Sequence, residues 1–381
     1  MPSFIVPTET VFGRDCGAEV GARAQAAGFR RALLVTDPGV RGAGLTETVE
    51  ESLRRAGVAY GVFDAVSPNP RDTEAEACAG AAGEGDAELL VAVGGGSVID
   101  AAKAAGVVRS NGGRVRDWTA YMGGARPEKP CLPLYALPTT TGTGSETSGG
   151  AVITFDFGTA PRKGGLGSAQ PELAFLDPIL VERLPVALLA ASGLDALTHA
   201  VESYVSLRAS LFTRAFSAQA IRTLATALPA AVTAARAPGS DRAPTMETML
   251  YAANIAGRAM LGGLGQVHAL SHITSAHFDT SHGYTNAILL TAVLAHHQAA
   301  IAPLLEEVGA LLGAGTSGAG GALEAIARLR ESVGAPGRLR DLGVPREALP
   351  RLAADAMVPE PVQNPGPAGE ADFLSIYERA W

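Results

Sequence analysis

Four of the chain's seven histidines, His268, His272, His277 and His282, fall within "VHALSHITSAHFDTSHGY", and no histidine occurs before residue 199. Further upstream, "GLDALTHAVESYV" sets Asp195 and His199 four residues apart, on one face of a helix. His268 and His272 repeat that spacing, and His282 follows just before Gly283. Carboxylate and imidazole groups suit zinc or ferrous iron, and two such pairs could close a four-coordinate site. A lone pair of this kind on a helix surface would do no chemistry. The histidine cluster is what turns it into a candidate metal centre. Spacing alone leaves five candidate ligands: Asp195, His199, His268, His272 and His282.

Two further stretches could bind a nucleotide. "VAVGGGSVIDAAKAAG" places Gly94, Gly95 and Gly96 between an apolar run and a helical pattern. Glycine allows close backbone approach, and the helix start offers unpaired N–H groups to a phosphate. This is neither the GxGxxG fingerprint nor a P-loop, and a plain turn would read the same. "LPTTTGTGSETS" strings hydroxyls from Thr139 to Ser148 across two glycines. These could donate to phosphate and ribose oxygens, or simply cap a helix. Asp37 ends an earlier apolar run. There an acid could accept from a ribose 2′-hydroxyl, or serve only the turn in "TDPGV".

The elements that must position these residues fall into two halves. Runs such as "RRALLVTD", "AYGVFDAV", "AELLVAVGGG" and "CLPLYALPTT" alternate with helical patterns, which predicts a parallel sheet covered by helices. Beyond "ELAFLDPILVERLP" the chain becomes a succession of alanine- and leucine-rich helical segments. The reading is an α/β Rossmann-like domain over residues 1–178 and an all-α domain over 179–381. At 381 residues, 47% hydrophobic and 18% charged, the chain can bury two cores. Its net charge of −8 excludes a general affinity for nucleic acid or acidic membranes. The three cysteines form no CxxC pair, which suggests a reducing compartment and no thiolate metal site. With neither a signal-peptide pattern nor a long apolar run, a cytoplasmic protein is expected.

In order, "GGGSVIDAAKA", "LPTTTGTGSETS", "LDP", "LPVALLAASGLDALTHAVESY", "VHALSH" and "HGYTNAILL" resemble the motifs of the iron-containing (group III) alcohol dehydrogenases, over essentially the whole chain. The resemblance implies a homodimeric enzyme that transfers hydride between a small alcohol or aldehyde and a nicotinamide cofactor, NAD(H) favoured over NADP(H). It also implies one divalent metal, Fe(II) or Zn, held by Asp195, His199, His268 and His282. His272 would relay a proton beside the metal. Gly94, Gly95, Gly96, Ser97 and Asp100 would form the pyrophosphate loop, and Thr139, Thr140 and Thr143 the threonine loop. Asp37 would favour NAD, and Lys163 lies near a cofactor-contacting lysine.

The chain also departs from that pattern. "ITSA" (Ile273–Ala276) replaces an apolar-Leu-Gly-Gly/Ala run. Thr274, Ser275, His277 and Gln266 would make the pocket wall more polar, suiting a polar or anionic aldehyde of the phosphonoacetaldehyde type. Two related enzyme types are the alternatives. A maleylacetate-reductase-type enzyme would have no use for the four ligands. A lyase of the dehydroquinate-synthase type would need a basic, phosphate-gripping site that these motifs lack.

Overall fold

The computed structural model describes residues 4–119, 123–156, 162–167, 169–357, 362 and 364–381. They form two compact units. One joins Met1–Thr140 to Ser145–Arg183, and the other joins Thr141–Gly144 to Leu184–Trp381. The division falls a few residues beyond the boundary expected at 178, and the short segment 141–144 groups with the helices.

The strands are β1 (Glu9–Phe12), β2 (Arg31–Val35), β3 (Ala59–Phe63), β4 (Leu89–Gly94), β5 (Leu134–Pro138), β6 (Ala151–Phe155), β7 (Arg162–Leu166) and β8 (Leu173–Leu176). Six of them form one sheet in the order β1-β8-β5-β4-β2-β3, and every pairing is parallel. The residues dictate this: every position of β4 is buried, so both sheet faces must be covered. Alternate side chains feed two cores. Leu34, Val91 and Val93 join Val20, Val49 and Leu53 on one face; Leu33, Val35 and Ala92 join Cys78, Ile99 and Ala102 on the other. The covering helices are α1 (Val20–Ala26), α2 (Pro38–Gly42), α3 (Glu47–Arg55), α4 (Asp72–Glu84) and α5 (Gly96–Asn111).

Strand order reverses between β2 and β4, and a sheet of this kind opens a crevice at the carboxyl ends of such strands. Asp37 follows β2 there, Gly94–Gly96 end β4, and Thr139 follows β5. The sequence pattern located β2 to β5. It missed β1 and β8, which have four residues each, and the antiparallel β6–β7 hairpin, whose "RKGGL" arm has no apolar alternation.

The helical unit comprises α6 (Val186–Val205), α7 (Leu211–Arg236), α8 (Ala243–Ala259), α9 (Gln266–Phe278), α10 (His282–His296), α11 (Ala302–Leu311), α12 (Ala319–Ser332), α13 (Leu349–Asp355) and α14 (Glu370–Ala380). Helix α6 is buried at every position from Gly193 to Val205, as a helix surrounded by others must be. At Gly193 an added Cβ would lie 2.4 Å from Leu228 Cδ1 on α7, so a larger residue there would push that side chain aside. Among the described residues no helix is long and apolar enough to cross a membrane.

Burial pushes the thiols of Cys16, Cys78 and Cys131 up to about 12. An unfolded thiol ionises near 8.5, so above that pH the unfolded chain sheds protons that the folded chain keeps. This contribution to stability is present in full below about pH 8.5 and is lost as pH rises toward 12. Each thiol removes about 1.4 kcal/mol per pH unit across that window. The denaturant midpoint should therefore fall between pH 8.5 and 11, and less steeply in Cys78→Ala. Equal slopes in the two proteins would contradict the assignment.

Candidate metal and cofactor sites

Helix α6 carries Asp195, His199 and Glu202 into the interior, where they are 3%, 4% and 2% exposed. Helix α9 brings His268, also buried, and His282 is the first residue of α10. Asp195 Oδ1 lies 3.8 Å from Nε2 of each of His199, His268 and His282. The ligand atoms of Asp195, His268 and His282 all lie within 4.8 Å of one another. His199 joins them through Asp195 and by stacking on His268, with ring centroids 4.7 Å apart. A regular tetrahedron of donors about 2.1 Å from a metal has edges of about 3.4 Å, so small side-chain rotations bring this set onto one ion.

The supporting bonds point lone pairs inward. Nδ1 of His199 faces the Gly142 carbonyl at 3.2 Å, and a carbonyl only accepts, so this nitrogen carries the proton and Nε2 is left bare. Burial lowers the His199 pKa to about 4, which keeps the ring neutral. Nδ1 of His268 faces Glu202 Oε2 at 2.6 Å, which likewise leaves Nε2 as the acceptor. Burial opposes protonation of His268, but the bond to Glu202 and its charge outweigh that and raise its pKa. Asn286 Nδ2 lies 2.7 Å from Asp195 Oδ1 and 3.1 Å from Nε2 of both His268 and His282. Its two hydrogens cannot satisfy three converging acceptors. Its own Oδ1 is buried without a hydrogen-bond partner among the described residues. A cation resolves this surplus of lone pairs, so the donor set fits a divalent metal.

Sequence reading missed three parts of this site. Asn286 sits inside "HGYTNAILL", but its reach to Asp195 is tertiary. Glu202 lies seven residues beyond Asp195, a spacing that shares a helix face, and could have been found that way. Gly142 owes its place to sterics: a Cβ there would lie 2.1 Å from the Ser192 carbonyl oxygen. Only glycine lets this loop lie flat on α6 and present its carbonyl to His199.

His272 is half-buried beside the cluster, its ring stacked on that of His282 at 5.1 Å. The polar residues of the "ITSA" departure and Gln266 make their bonds inside the helical unit. Thr274 is fully buried, donates to the Leu270 carbonyl and contacts Tyr377 Oη. Ser275 donates to the Ser271 carbonyl, and His277 pairs with Asp355. Gln266, also fully buried, donates to the Val362 and Gly366 carbonyls and meets His297 Nε2 at 2.7 Å. Gln266, Thr274 and His277 tie α9 to the C-terminal part of its own unit, and Ser275 bonds within the helix.

At the sheet edge, Gly95 and Gly96 open α5 with no side-chain cap, so its first N–H groups point outward. Thr139 N–H donates to the Gly94 carbonyl at 3.0 Å, which joins the two loops. A Cβ on Gly95 would lie 3.2 Å from Thr140 Cγ2, and Thr140 Oγ1 is buried without a partner among the described residues. Bare helix-start amides beside an unsatisfied hydroxyl are a fit for a phosphate-bearing cofactor. Asp37 accepts from Val40 N–H at 2.9 Å as the cap of α2. Ser97 is half-buried in the first turn of α5, and Lys163 Nζ donates to Asn69 Oδ1 at 2.7 Å. Thr143 lies in the 141–144 segment of the helical unit. Asp100, at the second turn of α5, accepts from Ser145 Oγ at 2.5 Å and Val152 N–H at 2.8 Å, and so ties the helix to the loop after β5.

Comparison with known proteins extends these observations. Residues 7–178 match the family model described as iron-containing alcohol dehydrogenase, and residues 189–381 match that of the family's C-terminal part. NAD-dependent methanol dehydrogenase of Bacillus methanolicus is 36% identical, with all of both chains covered. A solved 1,3-propanediol oxidoreductase superposes with a TM-score of 0.92 at 34% identity, again over 100% of both chains. Sulfoacetaldehyde reductase from Bifidobacterium kashiwanohense, solved with NAD+, gives 0.88 at 27% identity, covering 100% of this chain and 98% of that one. The chain belongs to the iron-containing alcohol dehydrogenase family. It is an alcohol/aldehyde oxidoreductase of that family.

The loop after β5 hangs on one fully buried cation. Lys103 Nζ donates to the carbonyls of Ser145 and Gly150, both at 2.7 Å, and to Ser145 Oγ at 2.9 Å, with Asp100 Oδ1 at 3.9 Å. Burial pulls its pKa down to about 8, with Asp100 opposing. Lys103→Met should strand Asp100 and two carbonyls, lowering unfolding stability by about 3–5 kcal/mol. Urea titration of the α/β signal checks this, and a loss below about 1 kcal/mol would remove the lysine from that role.

Proposed function

We propose that the chain catalyses reversible NAD(H)-dependent oxidoreduction of a small primary alcohol and its aldehyde, with one divalent metal held by Asp195, His199, His268 and His282. The observation that carries this reading is the convergence of Asp195 Oδ1 and the imidazole nitrogens on Asn286, with more lone pairs than hydrogens. When bound, the ion supplies Lewis-acid polarisation of the substrate oxygen, and the nicotinamide takes or returns the hydride.

The protein's own residues do the rest. Gly142 and Glu202 hold two imidazoles in the tautomer that offers Nε2. Asn286 fixes the Asp195 carboxylate by a hydrogen bond. His272, half-buried and in contact with His282, exchanges the substrate proton with solvent. Gly94, Gly95, Gly96 and Ser97 receive the pyrophosphate, while Thr139, Thr140, Thr143 and Lys163 complete the cofactor contacts. Asp37 accepts from the adenosine ribose and repels a 2′-phosphate. Methanol, 1,3-propanediol and sulfoacetaldehyde in the relatives' names span neutral and anionic substrates. We favour a neutral one here, because Gln266, Thr274, Ser275 and His277 are engaged within the helical unit.

The test is an aldehyde panel, including phosphonoacetaldehyde, run with NADH and NADPH on metal-assayed protein. One Fe or Zn per chain, activity lost on chelation and restored by the ion, and an NADH preference above about tenfold (about 1.4 kcal/mol) are expected. Full activity of metal-free protein would refute the mechanism, and a preference for NADPH would refute the role of Asp37. His272→Asn should lower kcat by about 100-fold, within the range for a lost proton-transfer group, at unchanged metal content.

A further inference from the structure

Asp195 and Glu202 are both buried in α6, and among the described residues neither pairs with lysine or arginine. Ionised carboxylates this deep need compensating charge. Asp195 is accounted for as a ligand. Glu202 is not, because it lies behind His268, where it bonds the ring nitrogen that faces away from the cluster. Its two oxygens divide the work. Oε2 meets His268 Nδ1 at 2.6 Å, and Oε1 accepts from Val267 N–H at 2.7 Å, in the first turn of α9. A carboxylate at that place also complements the positive end of the helix. One side chain therefore sets both where α9 begins and which way the ring of its third residue points. At Gly265, just before α9, an added Cβ would lie 2.5 Å from the Asn364 carbonyl oxygen and 3.0 Å from Glu202 Oε1, so the turn that enters α9 packs against both.

We propose that Glu202 is the positioning residue of the metal centre. It holds His268 with the proton on Nδ1 and supplies, with Asp195, the second negative charge that makes the loaded site neutral for a divalent ion. This rests on the metal reading given above. A hydrogen bond to one ring nitrogen decides which nitrogen is free to ligate. Carboxylates behind ligating histidines commonly change metal affinity by about 10–100-fold when removed. Glutamine cannot replace Glu202, since it has one acceptor oxygen where two N–H groups need one each. Glu202→Gln must either leave Val267 N–H unpaired or turn the His268 proton onto Nε2, where it blocks ligation. Either way one negative charge is lost.

The experiment measures Zn(II) binding to metal-free protein by competition with a chromophoric chelator, in wild type and in Glu202→Gln. The expected result is one ion per wild-type chain, and affinity at least 10-fold weaker in Glu202→Gln. Its Co(II) visible spectrum should also change. Val267→Pro removes the helix-start bond, together with the buried Val267 side chain, but leaves the Glu202 carboxylate on His268; it should keep affinity within about threefold of wild type while lowering thermal stability. Wild type that binds no metal would sink the metal reading itself. Wild type that binds with Glu202→Gln equal to it overturns the role of Glu202 alone. Should Glu202→Gln fail to fold, nitrogen-15 shifts of selectively labelled histidine in Zn-loaded wild type decide. The proposal requires protonated Nδ1 at His268, and a bare Nδ1 there overturns it.

Discussion

The helical unit is organised around a single electrostatic constraint: α6 takes two carboxylates into an interior with no lysine or arginine to meet them among the described residues. Everything placed nearby answers that constraint with imidazole or amide. His199 and Asp195 lie one turn apart on α6. His268 arrives on α9, and His282 and Asn286 sit one turn apart at the start of α10. Short contacts among these groups are affordable because each of the three rings can offer a bare nitrogen to a shared cation. An arginine in the same place would neutralise a carboxylate and end the convergence of lone pairs that suits the site to a cation.

The α/β unit works on a different principle. Its sheet is buried on both faces, so β2, β4 and β5 read as apolar runs and end in polar turns at one edge. There the backbone does what side chains do in the other unit. The start of α5 carries no side-chain cap and the buried hydroxyl of Thr140 has no partner among the described residues, while Lys103 and Asp100 hold the neighbouring loop. Charge is thus placed under the loop, where it sets shape, and left out of the first turn of α5, where a phosphate would sit.

Much of this was legible in the sequence, because its carriers are local. Short apolar runs set between helical patterns revealed β2 to β5, period-3.6 patterning the helical second half, and i,i+4 spacing paired Asp195 with His199. Four-residue strands such as β8 have too few positions to show a period. Tertiary partners were invisible for a different reason: nothing in "HGYTNAILL" says that Asn286 reaches Asp195, and nothing in "ITSA" says that Thr274 faces Tyr377. Polarity is visible in a sequence, whereas the direction of a side chain depends on what packs against it. The bonds of Asp100 to Ser145 and Val152 are hidden in the sequence for the same reason.

Two close approaches fall on adjacent residues of α6. Gly142 lies against the carbonyl of Ser192, and Gly283 against that of Ala191, each too near for any Cβ. One approach delivers the carbonyl that orients His199, and the other seats the turn that begins with His282. Two members of the candidate ligand set, far apart in the chain, are therefore gauged from successive peptide units of one helix. The spacing between them is set by helix geometry, so a shift of that turn carries both together, and an added methyl at either glycine would move one without the other.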